Sequence, residues 1–357
     1  MIVKFILPIF AVCLLSGCST VSYYSQIVTG HMKIVVGKKP LAKIVADPAT
    51  DDFIRQKIVV AQQAREFAIV ELGLPDNDSY TSFYDTRQNY VTWNVVAAEE
   101  FSFKPRNWCF PIAGCVSYRG YYAEEDAKEY ADRLVQEGLD VTVDGATAYS
   151  TLGWFEDPLL NTMLNRSDSS VTSLLFHELA HQQLYVTDDS KFNESFATFV
   201  ETAGMSLWQK VQGKNNQSAS ADLQLRRQRQ HQFIQLLSAT RADLVDLYLS
   251  DLPQEVMRDK KKQRFKLLLV EYEKLKADWG GYGGYDAWFN RDLNNARLVS
   301  VSTYNDYVPA FQVLFEDSDS NFEKFYAAAE ALAEMKPEKR KESLQELLSR
   351  AKKTVYR

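Results

Sequence analysis

The sequence predicts an α+β fold in which a small mixed β-sheet is followed by a mostly helical body. Residues 80–122 are rich in β-branched and aromatic side chains, which favour strands. After Pro158 the chain has helical character almost to its end, with loops near residues 213–220 and 280–284. This order, with strands first and helices afterwards, is typical of an α+β architecture.

Two helices of the mixed part can be placed by the spacing of their apolar residues. Over residues 50–72 apolar side chains recur every three or four positions, which predicts an amphipathic helix that Gly73 can end. Residues 123–137 predict a second helix, and Gly138 ends it.

Two strands are predicted after that second helix, over residues 139–143 and 146–154. Asp144 and Gly145 lie between them, and an Asp-Gly pair is typical of a tight hairpin turn. We expect residues 147–154 to lie along the edge of a cleft, where an extended chain could pair with the strand.

The N-terminus has the pattern of an export signal. Lys4 precedes an apolar run over residues 5–15, which is too short to cross a bilayer but matches a signal-peptide core. The following Leu15-Ser16-Gly17-Cys18 resembles the bacterial lipobox, where the chain is cut before a cysteine that becomes lipidated. The alternative is an ordinary secretory signal with a chance cysteine.

This signal predicts how the chain is divided and where it is located. Several acyl chains on Cys18 would anchor the protein to a membrane, and Ser19 after the cysteine indicates the outer membrane, facing the periplasm of a bacterial cell envelope. The predicted segments are a signal peptide (1–17), a lipid anchor and stalk (18–39), a mixed α/β part (40–157) and a helical part with the candidate site (158–357).

The mature chain would keep two cysteines, Cys109 and Cys115, which close a short loop that contains Pro and Gly. In an oxidising compartment this spacing predicts a disulfide. A metal site is the alternative, but the spacing is wider than in a zinc knuckle and no histidine lies nearby.

The net charge of −6 argues against nucleic acid as a partner. Basic clusters at residues 260–262 and 336–353 alternate with acidic residues on helical sequence, so we interpret them as solvated helix faces.

The segment 168–181 predicts a buried helix that carries the chemistry. It is apolar nearly all round, and Asp168 can cap its start. Four residues advance a helix by about 400°, so His177 and His181 lie one turn apart on one face and can hold one Zn²⁺. Glu178 is offset by about 100° and can reach a metal-bound water without being a ligand.

Two alternatives compete with a metal site on this helix. Coincidence is a weak one, because the chain has only 4 histidines and two of them fall in this spacing with a glutamate between them. A buried His and Glu pair without metal is the other. Three such groups in an apolar segment would carry a large desolvation cost, which metal coordination would offset.

The segment Asn193-Glu194-Ser195-Phe196-Ala197 follows His181 after a connection short enough for a turn between two antiparallel helices. It resembles the gluzincin clan, in particular the aminopeptidase N-like enzymes, whose third zinc ligand is the Glu of an Asn-Glu-Gly-Phe-Ala motif. The resemblance implies a zincin-like fold with Glu194 as the third ligand. Ser195 stands where that motif has glycine.

Glu201, two turns further on, is the rival third ligand. If Glu194 is the ligand, Thr198 and Glu201 lie on the same helix face and could orient the ligands. The lipobox, the Tyr118-Arg119-Gly120-Tyr121 stretch and both metal-ligand segments together resemble bacterial lipoproteins grouped as aminopeptidases, over nearly the whole mature chain.

The resemblance implies hydrolysis of a peptide or protein substrate, with Glu178 as the general base. An oxyanion donor is also needed, and Tyr304 is the candidate, with Tyr307 beside it as a second. Either tyrosine could instead be a packed aromatic residue.

Exopeptidase and endopeptidase activity both remain open. The Gly-x-Met-Glu-Asn segment that binds the substrate ammonium in aminopeptidase N-like enzymes is absent, and Glu124, Glu125 and Asp157 are candidate replacements. The other hypotheses are an endopeptidase of envelope quality control and a non-catalytic scaffold on the same fold. The oligomeric state is not indicated by the sequence.

Overall fold

The computed structural model describes residues 3–110, 114–148, 150–151, 155–212 and 217–355. For residues 3–19, 217–224, 227, 302–304 and 352–355 it describes the backbone only. The strands in this part of the chain are Lys39–Pro40 (β1), Ser82–Tyr84 (β2), Thr92–Glu99 (β3), Trp108–Phe110 (β4), Gly114–Val116 (β5), Arg119–Tyr121 (β6), Leu139–Ala146 (β7) and Leu159–Leu160 (β8).

Helices dominate the second half of the chain, and the predicted α+β class is confirmed. The helices in the described ranges are Val3–Gly37 (α1), Leu41–Ala46 (α2), Asp52–Val70 (α3), Glu124–Gln136 (α4), Asn161–Leu164 (α5), Asp168–Gln183 (α6), Ser190–Val211 (α7), Gln217–Tyr248 (α8), Gln254–Asp278 (α9), Asp286–Phe289 (α10), Asn295–Asn305 (α11), Val308–Asp317 (α12), Phe322–Ala333 (α13) and Pro337–Val355 (α14).

The two helices predicted in the mixed part are confirmed as α3 and α4. The side chain of Asp51 caps α3 by accepting a hydrogen bond from the backbone N–H of Phe53 at 2.8 Å. Gly73 and Gly138 follow the two helices with φ of +65° and +86°. Glycine adopts this left-handed conformation without a steric cost, so both residues end their helices as predicted.

The central sheet has the strand order β6-β3-β7, and β3 pairs with both neighbours in antiparallel fashion. Side chains alternate between its two faces. Val95 and Ala97 pack against α4, whereas Val96 and Ala98 pack against Ala296 and other residues of α11. The sheet therefore lies between α4 on one face and α11 on the other.

The turn predicted at Asp144 and Gly145 is wrong. Both residues lie inside β7, which pairs with β3 along its whole length, and Gly145 lies opposite Trp93. A Cβ atom on Gly145 would come within 2.3 Å of the Tyr90 ring, so glycine is required here because an aromatic ring covers the strand. Pairing with β3 outweighs the local preference of the Asp-Gly pair for a turn.

The strand predicted over residues 146–154 is also not found. Only Ala146 belongs to a strand, and residues 147, 148, 150 and 151 are not in one. Residues 149 and 152–154 lie outside the described residues. The described part of this segment therefore gives no support for a cleft-edge strand that pairs with an extended substrate.

The main core lies where α3, α6, α7, α12, α13 and α14 meet. Its largest fully buried side chains are aromatic, and they include Phe176 of α6 and Phe196 of α7. A smaller sheet, β1-β2-β8, lies next to this core, and α8 and α9 form a separate helical pair with its own cluster. The two helices that carry the predicted ligands are thus packed into the main core.

Part of the segment predicted as a stalk packs against the folded body. Tyr23 and Ile34 of α1 are buried, and Gln26 bonds to the outer edge of β6. Its Nε2 donates to the carbonyl oxygen of Gly120 at 3.4 Å, and its Oε1 accepts from the N–H of Tyr122 at 3.1 Å. The boundaries of the four predicted segments stay a prediction, and the side chain of Cys18 lies outside the described residues.

None of the helices in the described part of the chain is both long and apolar enough to cross a membrane.

The predicted disulfide is confirmed. Cys109 and Cys115 are bonded to each other and lie opposite one another in the β4–β5 hairpin. The backbone N–H of Cys115 donates to Oδ1 of Asp188 at 2.5 Å. Asp188 lies in the connection between α6 and α7, so the hairpin is fastened next to the candidate site.

Candidate active site

Helix α6 begins one residue earlier than the sequence suggests. The side chain of Ser167 caps the helix by accepting from the N–H of Ser170, whereas Asp168 occupies the first helical position. The Asp168 carboxylate is paired with the Nζ of Lys57 on α3 at 2.6 Å. Asp168 was therefore wrongly predicted as the cap, because a tertiary ion pair engages its side chain.

Three polar groups lie on the buried part of α6. His177, Glu178 and His181 are only 9%, 8% and 8% exposed, among apolar neighbours such as Phe176 and Ala180. Burial of three ionisable groups in one helical turn carries a large desolvation cost unless partners satisfy them. Those partners come from α7.

Glu194 of α7 lies against both imidazole rings. Its Oε2 is 3.3 Å from Nε2 of His177 and 3.6 Å from Nε2 of His181. One ligand atom from each of the three residues lies within 4.8 Å of the others. The three residues can therefore hold a metal ion.

The separations between the donor atoms match those found around a bound metal ion. Ligand bonds of about 2.0–2.1 Å at tetrahedral angles place neighbouring donor atoms about 3.3–3.4 Å apart. The two measured separations, 3.3 and 3.6 Å, are close to that value. The donor set of two imidazoles and one carboxylate thus fits a single small divalent cation.

The residues around Glu194 explain why α7 presents it at this point. The Asp189 side chain caps the helix by accepting from the N–H of Phe192 at 3.1 Å. The side chain of Asn193 exchanges two hydrogen bonds with the backbone of Val186, both at 2.8 Å. Ser195 is fully buried and accepts from the N–H of Tyr307 at 3.2 Å. The residues that flank Glu194 thus fix the connection and the helix start.

Helices α6 and α7 run antiparallel, as their contacts demonstrate. His181 at the end of α6 contacts Glu194 near the start of α7. Ser173, two turns earlier on α6, donates to Glu201, two turns later on α7. His177 lies between them and contacts both glutamates.

Glu201 contacts the opposite side of the His177 ring from Glu194. Its Oε2 lies 3.1 Å from Nδ1 of His177, and its Oε1 accepts from the Ser173 hydroxyl. This position is that of a carboxylate that orients a metal-binding histidine. The geometry favours Glu194 as the third donor. Thr198 makes no side-chain hydrogen bond to these residues in the described part of the chain.

Charges within the site shift the pKa values of its members. Burial by itself would raise the pKa of Glu194, but the nearby charges and hydrogen bonds of His181 and His177 lower it to about 2. Burial would lower the pKa of His177, whereas the hydrogen bonds that its ring donates to Glu194 and Glu201, together with their negative charges, raise it well above its usual value. The carboxylates on both sides of the ring thus favour the protonated form of His177 when no cation is bound.

Glu178 is a separate carboxyl next to these ligands. Burial raises its pKa, and the positive charges of His177 and His181 act against that increase. It does not belong to the three-residue cluster of candidate ligands. A buried carboxyl with a raised pKa is suited to accept and return a proton.

Two tyrosines near the site were not recognised as site residues from the sequence. Tyr118 is 38% exposed overall, but desolvation of its hydroxyl group raises its pKa, and the charges of Glu194 and Glu178 raise it further. Burial also raises the pKa of Tyr185, again together with the charge of Glu194. Both hydroxyl groups therefore stay protonated, and both lie within the electric field of Glu194, a candidate metal ligand. Tyr118 belongs to the Tyr118-Arg119-Gly120-Tyr121 stretch of the family resemblance, but nothing in the sequence indicates that the fold brings it to the site.

The tyrosines that the sequence did suggest lie elsewhere or are not described. Tyr304 belongs to α11, but its side chain lies outside the described residues. Tyr307 is buried in the main core, and its ring is 4.6 Å from the Nζ of Lys191. The structure therefore supports the packed-aromatic interpretation for Tyr307.

One of the three acidic residues considered for ammonium binding lies close to the site. Asp157 is 3% exposed and accepts from the N–H of Thr151 at 2.9 Å. Burial raises its pKa to about 6, and the nearby charge of Glu178 contributes to that increase. Glu124 is paired with Lys128 on α4, and Glu125 is exposed.

A cleft of about 350 Å³ opens from Glu194 towards the central sheet. It lies between the α11 face of that sheet and α11 itself. Its wall includes Tyr118, Asn94, Trp288, Arg297 and Val299. A cavity of this size next to the candidate metal ligands has the usual dimensions of a substrate-binding pocket.

Comparison with known proteins agrees with this geometry. A family model described as "Putative aminopeptidase" matches residues 22–344. No curated protein and no solved structure matches the chain. Because the matched range spans most of the chain and contains α6, α7 and the cleft, the chain belongs to this aminopeptidase family.

Proposed function

We propose that the protein is a zinc-dependent aminopeptidase. The observation that carries the proposal is the convergence of His177, His181 and Glu194, with Glu178 beside them, at the end of a cleft in a member of an aminopeptidase family. An imidazole pair with one carboxylate is a common ligand set of catalytic zinc, which keeps a fourth position open.

Zinc bound by His177, His181 and Glu194 would polarise the scissile carbonyl group and lower the pKa of the attacking water. Glu201 holds Nδ1 of His177 and so fixes the ring with Nε2 towards Glu194. Ser173 in turn holds Glu201. These residues keep His177 in place before any metal or substrate arrives.

Glu178 acts as the general base and then as the general acid. It accepts a proton from the water that attacks the carbonyl carbon, and the C–N bond breaks as it returns that proton to the leaving amine. Its raised pKa supports both transfers, because the carboxyl holds a proton more readily than an exposed glutamate does. The products are two shorter peptides or a free amino acid and a peptide.

Tyr118 is the donor that we propose for the developing oxyanion. It lines the cleft together with Glu194, and its raised pKa keeps the hydroxyl protonated and able to donate. Tyr185 is the second candidate, since its hydroxyl also lies within the field of Glu194. Tyr304 remains a prediction from the sequence.

We also propose that the protein acts in the bacterial cell envelope, anchored by lipid at Cys18. The lipobox sequence supports the anchor, and the disulfide between Cys109 and Cys115 supports an oxidising compartment. Ser19 favours the outer membrane facing the periplasm.

Zinc content and peptide hydrolysis, measured on the same purified protein, test the proposed activity. We expect about one zinc per chain, and cleavage of peptides with a free N-terminus in preference to the same peptides after N-acetylation. Equal cleavage of acetylated peptides would indicate an endopeptidase. Bound zinc without any hydrolysis would indicate a scaffold. The variant His181→Ala is the matched control, and it should lose both zinc and activity.

A further inference from the structure

Arg297 is a buried cation in the wall of the cleft that begins at Glu194. It is only 4% exposed, and its guanidinium group lies 5.0 Å from the Trp288 ring centre. Its Nη2 donates to the carbonyl oxygen of Trp288 at 3.1 Å. Its Nε is buried and has no hydrogen-bond partner in the described part of the chain.

The charge of Arg297 is only partly neutralised by its surroundings. Its Nη1 donates to Oδ1 of Asp144 at 2.6 Å, and Nη1 of Arg291 donates to the same oxygen at the same distance. Two guanidinium groups therefore share one carboxylate, and one positive charge is left over. The charged residues among the described lining of the cleft are Arg297, Asp144 and Glu194, and Glu194 belongs to the candidate metal-ligand cluster. Arg291 approaches Asp144 from outside this lining, and its side chain is 42% exposed.

The remaining wall of the cleft is suited to a short stretch of peptide. Val96 and Val299 contribute apolar surface, and Asn94 and Ser300 contribute polar side chains. A compact cavity of about 350 Å³ is about 9 Å across, the length of two to three extended residues. A group bound at Arg297 would therefore be only a few residues from a peptide bond placed at Glu194.

We propose that this cleft is a subsite for a substrate carboxylate, with Arg297 as the residue that recognises it. A carboxylate would pair with the guanidinium group of Arg297, which has only a shared claim on Asp144, and arginine binds carboxylates by charge-assisted hydrogen bonds. The carboxylate is either the C-terminus of a short peptide or the side chain of an Asp or Glu residue. This inference rests on the proposed peptidase function and narrows its substrates to peptides that carry such a group.

Matched peptide pairs test the subsite. Trialanine is compared with trialanine amide, which differs only in the C-terminal carboxylate. Ala-Ala-Asp amide is compared with Ala-Ala-Asn amide, which differs only in the side-chain carboxylate. We expect wild-type kcat/KM to be roughly 10- to 100-fold higher for the carboxylate member of at least one pair, as for a hydrogen bond to a charged group. The pair that shows the preference identifies the source of the carboxylate.

The variant Arg297→Gln should reduce that ratio to about one, and Arg297→Lys should keep part of it. The ratio does not depend on the fraction of folded enzyme, because misfolding lowers both rates equally. Arg264→Gln is the control, since Arg264 is similarly buried in a salt bridge with Asp243 but does not line the cleft. It should keep the wild-type ratio.

A binding measurement separates this proposal from the proposed function. Zinc-loaded Glu178→Gln protein is titrated calorimetrically with the same peptides, with and without Arg297→Gln. Tighter binding of the carboxylate member, lost with Arg297→Gln, supports the subsite even if no peptide is hydrolysed. Equal affinities within both pairs, absence of binding, or an Arg297→Gln variant that keeps the preference would overturn it.

Discussion

Replacing Asp157 with asparagine should change how the stability of the protein depends on pH. The carboxyl is 3% exposed, and burial raises its pKa to about 6 from an ordinary value of 3.8. Asparagine has a similar shape and can still accept a hydrogen bond from the N–H of Thr151. The substitution therefore removes the titration while it keeps most of the local packing.

The raised pKa of Asp157 determines the direction in which stability changes with pH. Below pH 3.8 Asp157 is protonated in both the folded and the unfolded chain, so its contribution to stability is fully present there. As the pH rises through about 6 the folded chain must lose a proton that it binds more tightly than the unfolded chain does, and that contribution is lost. The increase in pKa from 3.8 to about 6 corresponds to a total change of about 3 kcal/mol in the free energy of unfolding. Between pH 4.5 and 7.5 we expect Asp157 to lower the free energy of unfolding by about 2 kcal/mol.

Urea unfolding of wild type and Asp157→Asn at pH 4.5 and 7.5 measures this change. The free energy of unfolding of the variant, relative to that of wild type, should be about 2 kcal/mol higher at pH 7.5 than at pH 4.5. Constant differences in hydrogen bonding cancel, because the comparison is between two pH values. Asp259→Asn, on the exposed surface of α9, is the control and should show no such pH dependence. A stability difference between wild type and Asp157→Asn that is the same at both pH values would refute the reasoning.

Three further substitutions test the site. Glu201→Gln should weaken zinc binding about 10- to 100-fold in a chelator competition assay, because it alters the partner of His177 Nδ1. Tyr118→Phe should lower kcat about 10²- to 10³-fold in steady-state peptide hydrolysis, with little change in zinc content, because it removes an oxyanion donor. Replacing Cys109 and Cys115 with serine should lower the free energy of unfolding by about 2 kcal/mol in urea, the entropic effect of opening a short loop.

Controls distinguish these effects from general damage. Thr198→Val, one turn before Glu201, should keep the wild-type zinc affinity. Tyr24→Phe, on an exposed part of α1, should keep the wild-type kcat. Wild-type zinc affinity in Glu201→Gln, or wild-type kcat in Tyr118→Phe, would contradict the assigned role. An unchanged free energy of unfolding in the serine variant would contradict the stabilising role of the disulfide.

The ligand helices could be predicted because their signals are local. His177 and His181 are spaced by one helical turn, and that spacing by itself places both rings on one face. The residues around Glu194 carry a second local signal, and the structure shows their physical role. Asn193 and Ser195 fix the backbone on either side of the glutamate.

Features that depend on tertiary contacts could not be predicted in this way. Tyr118 is one of 19 tyrosines, and only the fold brings it near Glu194. Asp144 and Gly145 have the local pattern of a turn, but pairing with β3 holds them in a strand. Asp168 has the pattern of a cap, but Lys57 engages its carboxylate. In each case a distant residue outweighs the local preference.

The sharing of Asp144 between Arg291 and Arg297 is a further example. The three residues lie on β7, on the connection after α10 and on α11, and no periodic pattern links them. Their proximity follows from the packing of α11 on the central sheet. The sharing of one carboxylate by two guanidinium groups is therefore visible only once the fold is known.

Parallel measurement of zinc occupancy and peptide hydrolysis in Glu178→Gln tests the central claim most directly. The amide is nearly isosteric with the carboxylate, and Glu178 is not one of the three clustered ligands, so the variant should keep about one zinc per chain. Its peptidase activity should fall by about 10² to 10⁴, the usual contribution of a positioned acid–base group. Glu194→Gln, measured beside it, should lose zinc affinity and activity together. Full activity in zinc-loaded Glu178→Gln would contradict the assignment of Glu178 as the general base.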